Sequence, residues 1–92
     1  MSRIEVRQPS EEELRDLGVF DWPIWEKGES RFPWTYDEQE VCYLLQGRVT
    51  VEPEEGEPVT FAAGDLVTFP QGMNCTWDIH EAVRKHYQLG EE

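Results

Sequence analysis

The side chains able to do chemistry are few, and most fall in two stretches, Gly28 to Gly47 and Gly64 to Asp78. The first holds one carboxylate at the head of an apolar run, Glu40, with Trp34 and Tyr36 before it and Cys42 after it. The second holds Cys75 and Trp77, and the two histidines, His80 and His86, follow it. A carboxylate among apolar neighbours is costly unless it is paired, and an unpaired one has a raised pKa suited to general acid/base work. Partners for Glu40 are Lys85, or Arg84 and His86 on the opposite face of the same segment. A cysteine acts as a nucleophile only where a cation lowers its pKa, which Lys85 or His86 could do for Cys75. Otherwise it is a small buried hydrophobe. Cys42 and Cys75 sit at unrelated spacing, so they form no disulfide framework, although a contact between them stays open.

These side chains need strands to hold them. Glu40, Cys42 and Leu44 alternate with Val41, Tyr43 and Leu45, two largely apolar faces of a strand covered on both sides. Gly47 is expected to turn the chain into a second strand, "RVTVEP", making a hairpin. "PEEGEP" reads as a polar hairpin loop, followed by "VTF", the turn "AAGD" and the short strand "LVTF". Pro70-Gln71-Gly72 has turn chemistry, since Pro fixes φ and Gly permits positive φ. The chain leaves it as "NCTWDI", with Cys75, Trp77 and Ile79 on one face. "HEA" is expected to turn, and "VRKHYQL" to form the last strand. Val83, Lys85, Tyr87 and Leu89 share one of its faces, and Arg84, His86 and Gln88 the other.

Upstream, Ile4 and Val6 suggest an opening strand. "SEEELRDLG" is the one helix signal, with Ser10 and Glu13 as a capping box and Gly18 as the stop, about three turns at most. Pro23 marks "FDWPIWEKG" as an edge strand or extended entry, with Trp22 and Ile24 pointing opposite to Trp25.

The spacing of the two stretches resembles the cupin superfamily. Gly28, five residues, Trp34-Thr35-Tyr36, three residues, Glu40, six residues and Gly47 match the scaffold of its first motif. Gly64, five residues, Pro70-Gln71-Gly72, two residues, Cys75, three residues and Ile79 match its second. The resemblance implies an all-β fold, a cupin-type jelly-roll β-barrel with one short N-terminal helix. It also implies that Trp34, Tyr36 and Cys75 stand where the family has metal-binding histidines, that Ile79 replaces an Asn, and that Glu40 alone is kept. More narrowly, "WPIWEKG", "CYLLQGRVTV", "GDLVTFPQGM" and "VRKHYQL" are similar to small single-domain cupins of the ureidoglycine aminohydrolase-like branch. That branch's enzymes hold a metal with His, Glu and Gln ligands, which this chain does not supply at matching positions.

On this register Glu40 points into the barrel beside an aromatic lining. The expected ligand-binding residues are Trp34, Tyr36, Glu40, Cys75, Trp77 and His86, and the catalytic candidates are Glu40, Cys75 and Lys85. Iron, manganese and nickel sites want imidazoles with a carboxylate. No cofactor and no tight metal are therefore expected, and any metal present would have to recruit Glu40, Cys75 and His86. Aromatic rings beside a carboxylate can bind a cationic amine through their faces, or simply fill the core. The expected function is metal-independent binding of a small polar metabolite. The alternatives are a cupin-type hydrolase, isomerase or oxygenase using Glu40 as acid or base, and a structural or interaction barrel with a filled interior. Fold resemblance alone does not supply a reaction.

Composition narrows the partners. The 92 residues suit a single domain, 1–92, with a thin core to which four Trp, four Phe and three Tyr lend large buried area. Cupins often pair as dimers through their sheets, so the resemblance, together with the thin core, implies a homodimer. With 8 basic against 20 acidic residues the net charge is −12, which opposes nucleic acid and anionic membranes and favours solubility. No leader or membrane-length apolar run is visible, so the expected location is the cytosol, or an organelle stroma after loss of a transit peptide.

Overall fold

The computed structural model describes residues 4–90. Seven strands carry most of the chain: β1 (Glu5–Arg7), β2 (Ile24–Lys27), β3 (Ser30–Thr35), β4 (Glu40–Pro53), β5 (Val59–Ala62), β6 (Leu66–Phe69) and β7 (Asn74–Leu89). One helix, α1 (Glu11–Leu17), precedes a 3₁₀ turn at Val19–Asp21. The fold is all-β with one short N-terminal helix, as the sequence implies.

Two long strands organise the sheet. β4 and β7 pair antiparallel along nearly their whole length. At one end β4 also pairs with β6, which carries β1, while β7 pairs with β2. At the other end β4 pairs with β5 and β7 with β3. The same two strands thus belong to two half-sheets. The core between them is built from Leu44, Val49, Val51, Phe61, Val67, Phe69, Trp77 and Ile79, all buried.

The expected hairpin at Gly47 is absent, as is the turn at "HEA". The chain runs straight through both as β4 and β7, and the ladder between them shifts register between Leu44 and Val49. That shift changes which side chains point inward. On β4 the buried set passes from Glu40, Cys42 and Leu44 to Val49 and Val51, a switch from even to odd positions. Strict period-2 reading cannot carry through such a bulge, so one bent strand looks like two. Gly47 sits at the bend with φ of 103°, and a Cβ there would lie 2.4 Å from the Ala82 carbonyl oxygen. The "AAGD" turn docks onto the bend. Leu44 N–H donates to Asp65 O, Gly64 N–H to Leu44 O, and Ala63 N–H to Gly47 O, satisfying backbone groups that the irregular ladder leaves free. The Asp65 carboxylate holds that turn by accepting from Ala62 N–H at 2.8 Å and from Gln8 Nε2 at 3.1 Å.

α1 is two turns long. Ser10 Oγ accepts from Glu13 N–H at 3.2 Å, and Gly18 closes the helix in the left-handed region, φ 75°. Only half of the expected capping box forms, because the Glu13 carboxylate pairs with Arg7 on β1 instead. Leu14, Val19 and Leu66 make a second, smaller core under the helix on the outer face of β4 and β6.

The bend yields a contrast between two glycines. At Gly56, φ 115° in the β4–β5 loop, an added Cβ would meet nothing within 4 Å, whereas at Gly47 it would meet three backbone atoms under 3.0 Å. Gly56→Ala should cost only backbone strain, about 1–2 kcal/mol. Gly47→Ala should cost several times that or abolish folding, because the β4–β7 crossing must open. Urea denaturation of the two variants checks this.

Candidate functional site

The inner faces of β4 and β7 place one carboxylate and one ammonium group together. Glu40 opens β4, and Lys85 stands opposite Leu44 on β7. The Lys85 stem reaches across so that Nζ donates to Glu40 Oε2 at 2.6 Å. Glu40 is 5% exposed and Lys85 4%, so this is an ion pair removed from water. The Lys85 ammonium also lies over two indoles, 4.6 Å from the Trp77 centroid and 4.8 Å from that of Trp25. Those rings meet edge to face at 5.9 Å. A desolvated cation over each ring gains about 2 kcal/mol, which offsets part of the cost of burying the charge.

Beside the pair lies a cavity of about 200 Å³. Glu40, Lys85 and Tyr36 are among the residues that line it. Its aromatic walls come from Trp25 on β2, Phe32 and Trp34 on β3, and Trp77 and Tyr87 on β7. Trp34 and Leu89, about half exposed, mark its mouth. Tyr36 is set by the Pro70-Gln71-Gly72 turn: Gly72 N–H donates to Tyr36 O at 2.6 Å, and Tyr36 N–H to Met73 O at 3.0 Å. Its ring stacks on Phe69 at 4.8 Å, nearly parallel. Its hydroxyl accepts from Trp77 Nε1 at 3.0 Å. Burial, and then the nearby Glu40 carboxylate, raise the Tyr36 pKa far above that of a free phenol, so it stays protonated.

Of the residues expected at the site, Trp34, Tyr36, Glu40, Trp77 and Lys85 converge on the cavity. Cys75 does not line it. Its thiol donates to the Trp34 carbonyl at 3.6 Å, and burial followed by the Glu40 charge pushes its pKa up to about 11. That is the opposite of an activated nucleophile, and the catalytic role expected for Cys75 has no support in its surroundings. Cys42 is likewise pushed up to about 12 by burial, with Lys85 partly opposing, and both thiols are free. His86 faces away from the cavity. Its Nδ1–H donates to the Trp22 carbonyl at 2.8 Å, and Phe20 meets its ring edge-on at 5.8 Å. His80 is half-buried, with Nε2 2.8 Å from Thr50 Oγ1.

Sequence reasoning missed Trp25, Phe32, Tyr87 and Leu89 as wall residues. The period-2 signal was present for three of them: Phe32 alternates in step with Trp34 and Tyr36, and Tyr87 and Leu89 with Lys85. Trp25 reaches the cavity only because β2 pairs with β7 in the register Trp25↔Lys85.

Glu40, Cys75 and His86 do not form a ligand set, and no group of three or more metal-binding side chains occurs among the described residues. A divalent ion in the cavity would meet a single carboxylate, already neutralised by Lys85, and aromatic rings. That donor set does not fit the imidazole-rich centres expected of the fold.

The ion pair and the buried acids each have a measurable consequence. Glu40→Gln or Lys85→Met leaves an uncompensated buried charge or an orphaned partner, so each single change should destabilise by about 3–5 kcal/mol. The double change Glu40→Leu with Lys85→Met should cost less than the sum of the two, as read from urea denaturation. The second consequence concerns alkaline pH. Burial raises the Tyr36, Cys42 and Cys75 pKa values, so between the free and the folded values the unfolded chain binds fewer protons. Stability is therefore complete below about pH 9 and falls as pH rises toward 11–12. The melting temperature should drop across that window, and Cys75→Ala should make the drop shallower.

Comparison with known proteins agrees with this architecture. Residues 14–87 match the model of the EutQ-like cupin domain. A DUF861 family protein from Thermotoga maritima is 48% identical over 95% of this chain and 99% of its own, with a TM-score of 0.93. A DUF861 family protein of unknown function from Pseudomonas syringae is 30% identical over 72% of this chain and 28% of its own, TM-score 0.65. The Clostridium difficile EutQ protein shares the fold, with 24% identity over 73% of this chain and 52% of its own, TM-score 0.67. The chain thus spans about half, or less, of the length of these last two. No protein of curated function matches it in sequence. The bent, two-layered sheet is the jelly roll of that domain, and the chain belongs to the EutQ-like cupin family.

Proposed function

We propose that this cupin is a metal-independent binder of a small metabolite, which enters the aromatic cavity and is oriented on its floor by Lys85 and Glu40. The observation that carries this reading is the buried 2.6 Å ion pair at the base of a cavity of about 200 Å³. A buried ion pair adds little stability over well-packed apolar residues, so its position beside open space points to use by a ligand. Its setting matches small-molecule sites in general, mostly apolar with a few placed polar groups. An apolar cavity of about 150 Å³ elsewhere binds benzene, so this one suits a single ring with a small substituent. The cupin spacing, with Trp34, Tyr36 and Cys75 at places that pattern gives to histidines, supports binding without a metal. The similarity to the ureidoglycine aminohydrolase-like branch belongs to the same proposal.

Enzyme chemistry is the second reading, favoured by the same pair. At 2.6 Å a proton can pass between Lys85 and Glu40, so either could serve a reacting ligand as acid or base.

A metabolite panel screened by melting temperature tests the proposal. A ligand at ten times its Kd stabilises by about 1.4 kcal/mol, which raises the melting temperature of a domain this size by about 6–11 °C. Trp34→Ala, at the exposed mouth, should weaken the effect without unfolding the protein. A flat response across the panel would sink the binding reading. Turnover of a hit, lost in Glu40→Gln, would move the assignment to an enzyme.

A further inference from the structure

A carboxylate among aromatic rings is a recognised way to hold a cationic amine, but here that place is already taken. Lys85 Nζ lies over one face of Trp25, over one face of Trp77 and against the carboxylate of Glu40 at once. A second cation in a cavity of about 200 Å³ would stand a few ångströms from the first, with no second carboxylate in the lining to balance it. Like charges at that range in a poorly solvated site repel strongly. An anion meets the reverse problem, since Glu40 stands beside the ammonium that would attract it. The Lys85–Glu40 pair is neutral as a unit, and it asks for a neutral guest.

The unused hydrogen-bonding capacity says more. An ammonium has three donors, and among the described residues Lys85 Nζ makes one hydrogen bond, to Glu40 Oε2. Tyr36 accepts from Trp77 and keeps its own hydroxyl hydrogen, which finds no acceptor among the described residues. Glu40 Oε1 has no hydrogen-bond donor among those residues either, yet no sealed-off polar side-chain atom is left unpartnered there, so Oε1 keeps some accessible surface. The lining therefore offers donors from Lys85 and Tyr36 and an acceptor from Glu40, with the Tyr87 hydroxyl able to serve as either. The walls offer flat ring faces.

Building on the binding function proposed above, we infer that the cavity selects an uncharged planar ligand carrying a carbonyl acceptor and an N–H donor side by side: an aromatic amide or a cyclic amide of one ring. The carbonyl oxygen accepts from Lys85 or Tyr36, the amide N–H donates to Glu40 Oε1, and the ring lies among Trp25, Phe32 and Trp77.

Three single-ring probes of similar size test it: benzamide, benzoate and benzylamine, titrated by tryptophan fluorescence at 0.15 M salt, where the Debye length is about 8 Å. The net charge of −12 attracts the cation and repels the anion at long range, so its field works against the expected order for benzylamine and with it for benzoate. Benzamide should bind at least tenfold more tightly than benzylamine and more tightly than benzoate. Lys85→Met, if folded, should lose the preference for benzamide; the wild-type series stands without it. Nuclear Overhauser contacts from the benzamide ring to the Trp25 and Trp77 indoles place the ligand. Benzylamine or benzoate binding as tightly as benzamide overturns the inference. If none of the three binds while other panel compounds raise the melting temperature, the ligand class is wrong and the binding function stands. If nothing binds in either experiment, both fall.

Discussion

The cavity depends on one close approach, the crossing of β4 and β7 at Gly47. A flat pair of strands 14 and 16 residues long would expose both faces of a wide ribbon. Bending the ribbon lets its two halves face each other and share a core. The register shift supplies the bend, and glycine lets the backbones meet where any Cβ would collide with the Ala82 carbonyl. The same shift brings Glu40 at one end of β4 and Val51 at the other to the same interior. Without it, Glu40 and the core valines would lie on opposite faces.

Inside that fold, magnitudes decide what the ion pair is for. Removing a carboxylate and an ammonium from water costs several kcal/mol for each ion. The returns are one charge-assisted hydrogen bond, about 1.5–3 kcal/mol, and two cation–π contacts of about 2 kcal/mol each. These terms are of similar size, so the pair is close to neutral for stability. By contrast, the surface bridges of Arg31 with Glu52 and Asp78 are exposed and matter little on either count. The buried pair's main consequence is electrostatic. It gives an aromatic cavity a polar floor without a net charge.

Much of this was legible in the sequence, for identifiable reasons. Turn glycines and prolines marked Gly64, Gly72 and the helix stop at Gly18, because positive φ and fixed φ are local properties. Glu40, Trp34, Tyr36 and Trp77 were legible as sharing one interior through their spacing and alternation, and Lys85 as a partner for Glu40. What escaped was non-local. The bulge near Gly47 changes the parity of β4, and no window centred on one strand can see the β7 backbone that requires the glycine. His86 was misplaced for a related reason: its face could be assigned relative to Lys85, but which face pointed inward depended on the pairing of β7 with β2 and β4. Cys75 sits where a ligand would in the family pattern, yet its distance from the cavity is a matter of packing.

The cavity also bears on how so small a domain holds together. An unfilled apolar void costs about 24 cal/mol for each Å³, so about 200 Å³ would cost on the order of 5 kcal/mol if sealed and dry. That approaches the whole stability of a small domain. Two features limit the cost. The mouth at Trp34 and Leu89 opens toward solvent, and Glu40 and Lys85 put polar groups in the lining. The walls are rigid, since Tyr36 is stacked on Phe69 and tied to the Gly72 turn, and Trp77 packs against Phe61 and Phe69. An aromatic space braced in this way does not collapse to recover the lost contacts. On the proposed function a flat ligand would restore them, with little of that gain lost to ordering the protein. The features that make the cavity a burden to the free protein are those that the proposed binding function would use.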